Sequence, residues 1–380
     1  MNHFMQFLIE NINEIDSPAL LIIKAQVEQN IANALRMVGD AARLRPHIKT
    51  NKSPDMTRLL LAAGITKFKC ATIAEAEMLG QCGAPDVLLA YQPVGPKVER
   101  FVSLIKDYPT TRYSCLVDDI AAANFMAEAF ANHGLTVPVF VDVNIGQNRT
   151  GIAPAKVLEL WKNLAGKSEL PLTSNAKGIQ PIGLQAYDGH VRDMNFGRRT
   201  TACEEAYKPI AQLKRQIMAM GFDAPIIIAG GSPTFPIHAQ RPDVECSPGT
   251  FVYWDKGYSD LCPEQPFQPA AWLLTRVISK PDNTKICLDL GHKSVAAENE
   301  LGKRIFFPDH PQLMPIGQSE EHLVMEAGGN HSFQVGDALL GIPYHICPTV
   351  SLYEKVFVVE NNKVSGEWKT IARDRFINKG

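Results

Sequence analysis

YSCLVDDIAAANFMAEAFANHGLTVPVFVDVN, residues 113–144, is the stretch on which the fold turns. It opens with a short run of apolar and β-branched residues and passes into DIAAANFMAEAFANHG, which starts on an aspartate and closes on a glycine as capped helices do. It ends on a second apolar run, VPVFVDVN. Outward in both directions the same theme recurs. Further runs are RLRPHIK (43–49), KFKCAT (67–72), VLLAY (87–91), IGLQAYD (182–188), APIIIAGG (224–231) and DVECSPG (243–249). Helix-like segments such as SPDMTRLLLAAG, TIAEAEMLGQCG and EEAYKPIAQLKRQIMAMG lie between them. Eight strand–helix units within about 210 residues fit a (β/α)8 TIM-like barrel of α/β class. A doubly wound open sheet is the alternative reading of the same period.

One strand–helix pair, ALLIIKAQVEQNIANALRMVGDAAR, precedes the eight and is surplus to a barrel, so its strand, about 19–25, must pair elsewhere. After Asp255 the texture changes: LLTRVISK, KICLDLG, HLVMEAG, DALLGIPYHICP and EKVFVVENNKVSGEW alternate with few helix signals. The expected organisation is a barrel over 16–255 and a mainly-β domain over 256–380, with Asn361-Asn362 as a hairpin turn.

The chain has 380 residues, a formal net charge of −2 and a pI near 6.6. That balance supplies no field to attract nucleic acid or an anionic membrane surface. No apolar run is long enough to span a bilayer, and the N-terminal stretch lacks the basic region and small-residue cleavage site of a signal peptide. Eight scattered cysteines without CxxC pairs point to a reduced, cytoplasmic protein.

Barrel active sites lie at the C-terminal ends of the strands, and phosphates are often held by the loops after strands seven and eight. Here those segments are GGSPT (230–234) and SPGT (247–250), in which glycine N–H groups and hydroxyls can meet phosphate oxygens. On the first strand Arg45, His47 and Lys49 alternate and so share a face, near those loops in a closed barrel. A lysine there suits Schiff-base chemistry, since burial and neighbouring cations favour the neutral amine.

RPHIKTNK, VDVNIGQNRTG, LQAYDGH, AGGSPT, ECSPGTFVYWD, LDLGHKSVAAE, QSEEHL and PYHICPT, in this order, resemble the D-threonine aldolase and D-serine dehydratase family of alanine-racemase-like enzymes. The resemblance covers nearly the whole chain. It implies the alanine-racemase-like fold, with the surplus first strand joining the β domain. It makes Lys49 the lysine that holds pyridoxal phosphate, with His47 beside it. Arg149 would sit near the cofactor's phenolic oxygen, Gln185 would face the pyridine nitrogen and Tyr187 would lie close by. Gly230, Gly231, Ser232, Thr234, Gly249 and Thr250 would cradle the phosphate. Asn51 departs from the histidine or serine frequent in the family.

His345 and Cys347, two residues apart, fall on one side if their segment is extended, and the resemblance makes them the ligands of a divalent ion. A thiolate with an imidazole favours zinc over manganese. The implied activity is cleavage of D-β-hydroxy amino acids to glycine and an aldehyde. The alternative is dehydration of D-serine, D-threonine or 3-hydroxyaspartate to a 2-oxo acid and ammonia, toward which Cys347 leans. Arg192 or Arg198 could then read a second carboxylate. A racemase would need an opposed acid–base group, for which Tyr344 and Tyr353 are available. A pyridoxal-phosphate carrier would need no β domain. The resemblance also implies a homodimer with small-molecule D-amino acids as substrates.

Overall fold

The computed structural model describes residues 9–166 and 178–377, and the chain forms two compact units. One comprises the N-terminal segment through Ala34, Thr50–Met56 and Thr250–Arg373; the other comprises Leu35–Lys49 and Thr57–Gly249 with the C-terminal end. The chain therefore passes between the units at Ala34–Leu35, Lys49–Thr50, Met56–Thr57, Gly249–Thr250 and Arg373–Asp374.

The first strand, β1 (Ala19–Ile23), is buried along its whole length and lies in a nine-stranded, mainly antiparallel sheet. It runs antiparallel to β9 (Ala271–Ser279) and parallel to β15 (Lys355–Glu360). This is the placement the resemblance implied for the surplus strand. The sheet continues outward through β10 (Lys285–Leu288), β13 (Leu323–Glu326) and β12 (Met314–Gln318), while β14 (Ala338–Pro343) pairs β9 and β11 (Ile305–Phe306). β16 (Lys363–Lys369) follows β15 through Asn361 and Asn362, both at positive φ, the paired left-handed geometry that a two-residue hairpin needs. Leu21, Ile23, Trp272, Leu274 and Ile342 form the core on one face of this sheet.

The second unit is a parallel sheet of seven strands in chain order: β2 (Lys67–Cys70), β3 (Asp86–Leu89), β4 (Arg112–Val117), β5 (Val137–Asp142), β6 (Ile179–Ala186), β7 (Ile226–Ala229) and β8 (Val244–Cys246). Helices with the expected caps connect them: Thr72 accepts from Glu75 N, and Asp119 from Ala122 N. The predicted first barrel strand is not a strand. Leu44 bridges Cys246 and His47 bridges Lys69, both in parallel sense, and a 3-10 turn over Ile48–Thr50 follows. Pro46 explains the deficit, because it has no N–H to give a ladder. The segment still reaches both edge strands and closes the gap between β8 and β2.

Inside the curl, Leu88, Leu116, Phe140 and Ile228 form one apolar layer. Arg45, expected at the mouth with His47 and Lys49, is instead 1% exposed and fixed by Glu245 Oε2 at 2.7 Å and Asp86 Oδ1 at 2.5 Å. Burial opposes its charge, but the two carboxylates outweigh burial and raise its pKa. Lys67 pairs with the other oxygen of Glu245. Removing one member of such a buried group costs about 3–5 kcal/mol, because it strands the partner's charge.

Candidate active site

At the C-terminal ends of the parallel strands the expected residues assemble on turns that the sequence builds locally. In IGQNRTG, Asn144 Oδ1 accepts from Gly146 N and Asn148 N, each at 3.1 Å. Thr150 Oγ1 donates to Asp142 Oδ2 at 2.8 Å, and Gly151 N donates to Asp118 Oδ2 at 2.9 Å. The loop is thus pinned on both sides of Arg149, whose guanidinium stands 4.9 Å from the centroid of the Tyr187 ring. Gln185, at the end of β6, is 2% exposed, and its Oε1 has no hydrogen-bond partner. Lys49 is half-buried, and its backbone N donates to His47 Nδ1 at 3.3 Å.

The glycines of GGSPT are required by close approach. Gly230 has φ +79, and a Cβ there would stand 2.6 Å from His238 Cδ2; a Cβ on Gly231 would stand 3.1 Å from the Tyr187 ring. Gly249 N donates to Ser232 Oγ at 3.4 Å, so the two loops meet. Thr234 is committed to the loop itself: its hydroxyl accepts from Gly231 N and donates to Asp188 Oδ1 at 2.8 Å.

Behind these loops sits a group that sequence reasoning missed. Asp188, Cys203 and His238 are buried with their ligand atoms within 4.8 Å of one another, a geometry that could hold a metal ion. Their hydrogen bonds favour another role. Arg241 donates to His238 Nδ1 at 2.8 Å, which leaves the proton on Nε2, 2.8 Å from Asp188 Oδ2. Burial first, then the Asp188 charge, pushes the Cys203 thiol up to about 12. A protonated thiol and a donating imidazole are poor ligands. The group is a satisfied network that holds Thr234 and the glycine turn. Its members lie up to 50 residues apart, and no sequence spacing signals them.

The sheet unit carries the other cluster. PYHICPT is not extended: His345 precedes a short helix, Ile346–Val350, with Pro348 in its first turn, where a missing N–H costs nothing. The two side chains nevertheless meet. Burial lowers the His345 pKa, but a hydrogen bond with Cys347, its charge, Asp255 and Glu298 raise it further, to about 9. Glu298, the last residue of LDLGHKSVAAE, takes His345 Nδ1 and leaves Nε2 as the ring's ligand atom. Thr349 ties these segments together, donating to the His345 carbonyl at 2.8 Å and accepting from Ala296 N at 3.1 Å. The Thr50 and Thr250 hydroxyls stand 3.1 and 3.5 Å from Cys347 Sγ. Thr250, expected at the phosphate, is therefore beside the thiol in this unit.

Two other groups are placed elsewhere. Tyr353 is half-buried and donates to the Ser294 carbonyl at 2.7 Å, which does not suit a racemase's acid–base tyrosine. Arg198 is exposed and paired with Asp193 at 3.0 Å.

A curled parallel sheet, joined in one chain to an antiparallel sheet that contains the chain's first strand, defines the class. The model described as "Alanine racemase, N-terminal domain" matches residues 22–256, and the chain belongs to that family. The model described as "Putative serine dehydratase domain" matches residues 270–359. The chain is 28% identical over 368 residues to a D-threonine aldolase of Arthrobacter sp, covering 94% of this chain and 93% of that protein. It is 25% identical over 382 residues to a 3-hydroxy-D-aspartate aldolase of Paracoccus denitrificans (strain Pd 1222), covering 96% and 93%. The crystal structure of D-threonine aldolase from Filomicrobium marinum superposes with a TM-score of 0.85 at 25% identity, covering 98% of this chain and 99% of that one. Among the described residues no helix is long and apolar enough to cross a membrane.

Proposed function

We propose that this chain is a pyridoxal-phosphate- and divalent-metal-dependent lyase that cleaves D-β-hydroxy amino acids to glycine and an aldehyde. The observation that carries the reading is the His345–Cys347 pair with Glu298 on the imidazole, because racemisation has no use for such a centre. The aldolases to which the chain is similar along nearly its full length support the reaction class.

The residues present fit the cofactor. The partnerless, buried Gln185 Oε1 is an acceptor of the kind a ring N–H would satisfy, and the Gly230–Gly231 turn has no space that a Cβ could take. Lys49 would hold the aldehyde carbon, Arg149 would face the phenolic oxygen, and Ser232, Gly231 and Gly249 would donate to the phosphate. Bound pyridoxal phosphate supplies an electron sink that weakens the bonds at the substrate's Cα. Gln185 is neutral and does not force a proton onto the ring nitrogen, so this chain moderates that sink. His345 Nε2 and Cys347 Sγ would hold the ion, zinc rather than manganese by their softness, and a bound ion supplies Lewis acidity for the β-hydroxyl.

The second reading, a dehydratase, is favoured by Cys347 itself and by the match over residues 270–359. There Lys49 Nζ would take the Cα proton, and the β-hydroxyl would gain a proton and leave as water, a departure that Lewis acidity would assist. We include a cytoplasmic homodimer in the proposal, which light scattering tests. The deciding assay supplies D-threonine, D-allo-threonine and D-serine to protein loaded with cofactor and zinc or manganese, with Lys49→Ala as blank. Glycine and acetaldehyde are expected; pyruvate or 2-oxobutyrate would make it a dehydratase.

A further inference from the structure

Lys69 is used neither by the network nor by the proposed chemistry, yet it stands at the mouth of the curl. It is the third residue of β2, on the same side of the strand as Lys67, and is 3% exposed. Lys67 meets Glu245, whereas Lys69 has no carboxylate in ion-pair range among the described residues. Its Nζ stands 5.8 Å from the Tyr187 ring centroid, and Arg149 stands 4.9 Å from the same ring. Four charges act on it: Lys49 and Arg45 repel it from the preceding segment, while Asp142 on β5 and Asp188 after β6 attract it. Burial is the largest influence and Lys49 the next, and together they pull the amine down to about 7.

We propose that Lys69 is a second working amine of this mouth: it takes up a proton as an anionic ligand of the pyridoxal-phosphate type enters beside Lys49, and becomes that ligand's counter-charge. The inference rests on the cofactor reading above. A fixed cation at this depth would repel Lys49 at all times. A lysine can remain neutral until phosphate and phenolate charge arrives, and that charge then favours its protonated form. Binding and proton uptake are thereby linked.

The probe is pyridoxine 5′-phosphate, whose alcohol cannot bond covalently to Lys49. Its binding to the cofactor-stripped full chain is followed by titration calorimetry in buffers of different ionisation heat, for wild type, Lys69→Met and Lys69→Arg. Near pH 8 the wild type should take up about 0.5–0.9 proton more than either variant. Its affinity relative to Lys69→Arg should fall roughly tenfold between pH 7 and 8.5. Equal uptake in wild type and Lys69→Arg overturns the proposal and leaves the cofactor reading standing. A wild type that does not bind the probe overturns both. Should Lys69→Met fail to fold, Lys69→Arg alone decides.

Discussion

Replacing Asp188 by asparagine should loosen the glycine turn without touching metal content. The carboxylate accepts two hydrogen bonds of 2.8 Å, from Thr234 Oγ1 and His238 Nε2, in a fully buried setting. Hydrogen bonds to a charged group contribute about 1.5–3 kcal/mol each, and a stranded buried donor costs about 1–3 kcal/mol. Asparagine keeps one acceptor and turns an N–H toward the other donor, so one bond is lost and one donor is left opposed. The lost bond and the stranded donor overlap as contributions, so the expected cost is less than their sum, about 2–4 kcal/mol. Hydrogen exchange read by mass spectrometry over residues 230–238 suits this cost, since it reports local opening and needs no two-state unfolding of a two-unit chain. Exchange there should speed up roughly 30- to 1,000-fold, while peptides of the antiparallel sheet keep their rates. Zinc content should be unchanged. A speed-up below about threefold would refute the network reasoning. Loss of stoichiometric metal would show that Asp188, Cys203 and His238 are ligands after all.

Glu298→Gln should weaken metal affinity about 10- to 100-fold, as loss of a ligand's orienting partner does, and Cys347→Ala should weaken it further; competition with a chelating dye reads both. Lys69→Met should stabilise the cofactor-free protein. Holding an amine at about 7 instead of the ordinary 10.5 costs the folded state about 5 kcal/mol below pH 7. The unfolded chain binds the extra proton between those values, so wild-type stability rises with pH over that window and the gap to Lys69→Met closes; urea midpoints at pH 6.5 and 9.5 test the sign. Phe140→Ala, in the apolar layer of the curl, should cost about 3–5 kcal/mol in the same titration.

The βα period made the parallel unit legible, and its capped helices fall where Thr72 and Asp119 said they would. The first stave was misread because RLRPHIK has strand-like alternation, while Pro46 removes the donor that regular pairing requires. Arg45 was expected at the mouth for the same reason; its partners Glu245 and Asp86 lie 200 and 41 residues away, beyond any periodicity argument. Lys69 escaped notice because K-F-K-C reads equally well as a strand with one solvated face. Only curling of the sheet turns that face inward. Glu298 ends the LDLGHKSVAAE motif, but nothing in the spacing says that it meets His345, 47 residues on.

The position of β1 has a consequence for synthesis. Ala-Leu-Leu-Ile-Ile leaves the ribosome early, yet its neighbour β9 begins at Ala271 and its other neighbour β15 at Lys355. At about 5–20 residues per second, some 250 residues of translation leave this apolar strand without its ladder for roughly 12–50 s. An unpaired, uncharged β-prone segment is an aggregation hazard for that interval. Newborn chains of this protein should therefore lean on holding chaperones, and more so the faster they are produced.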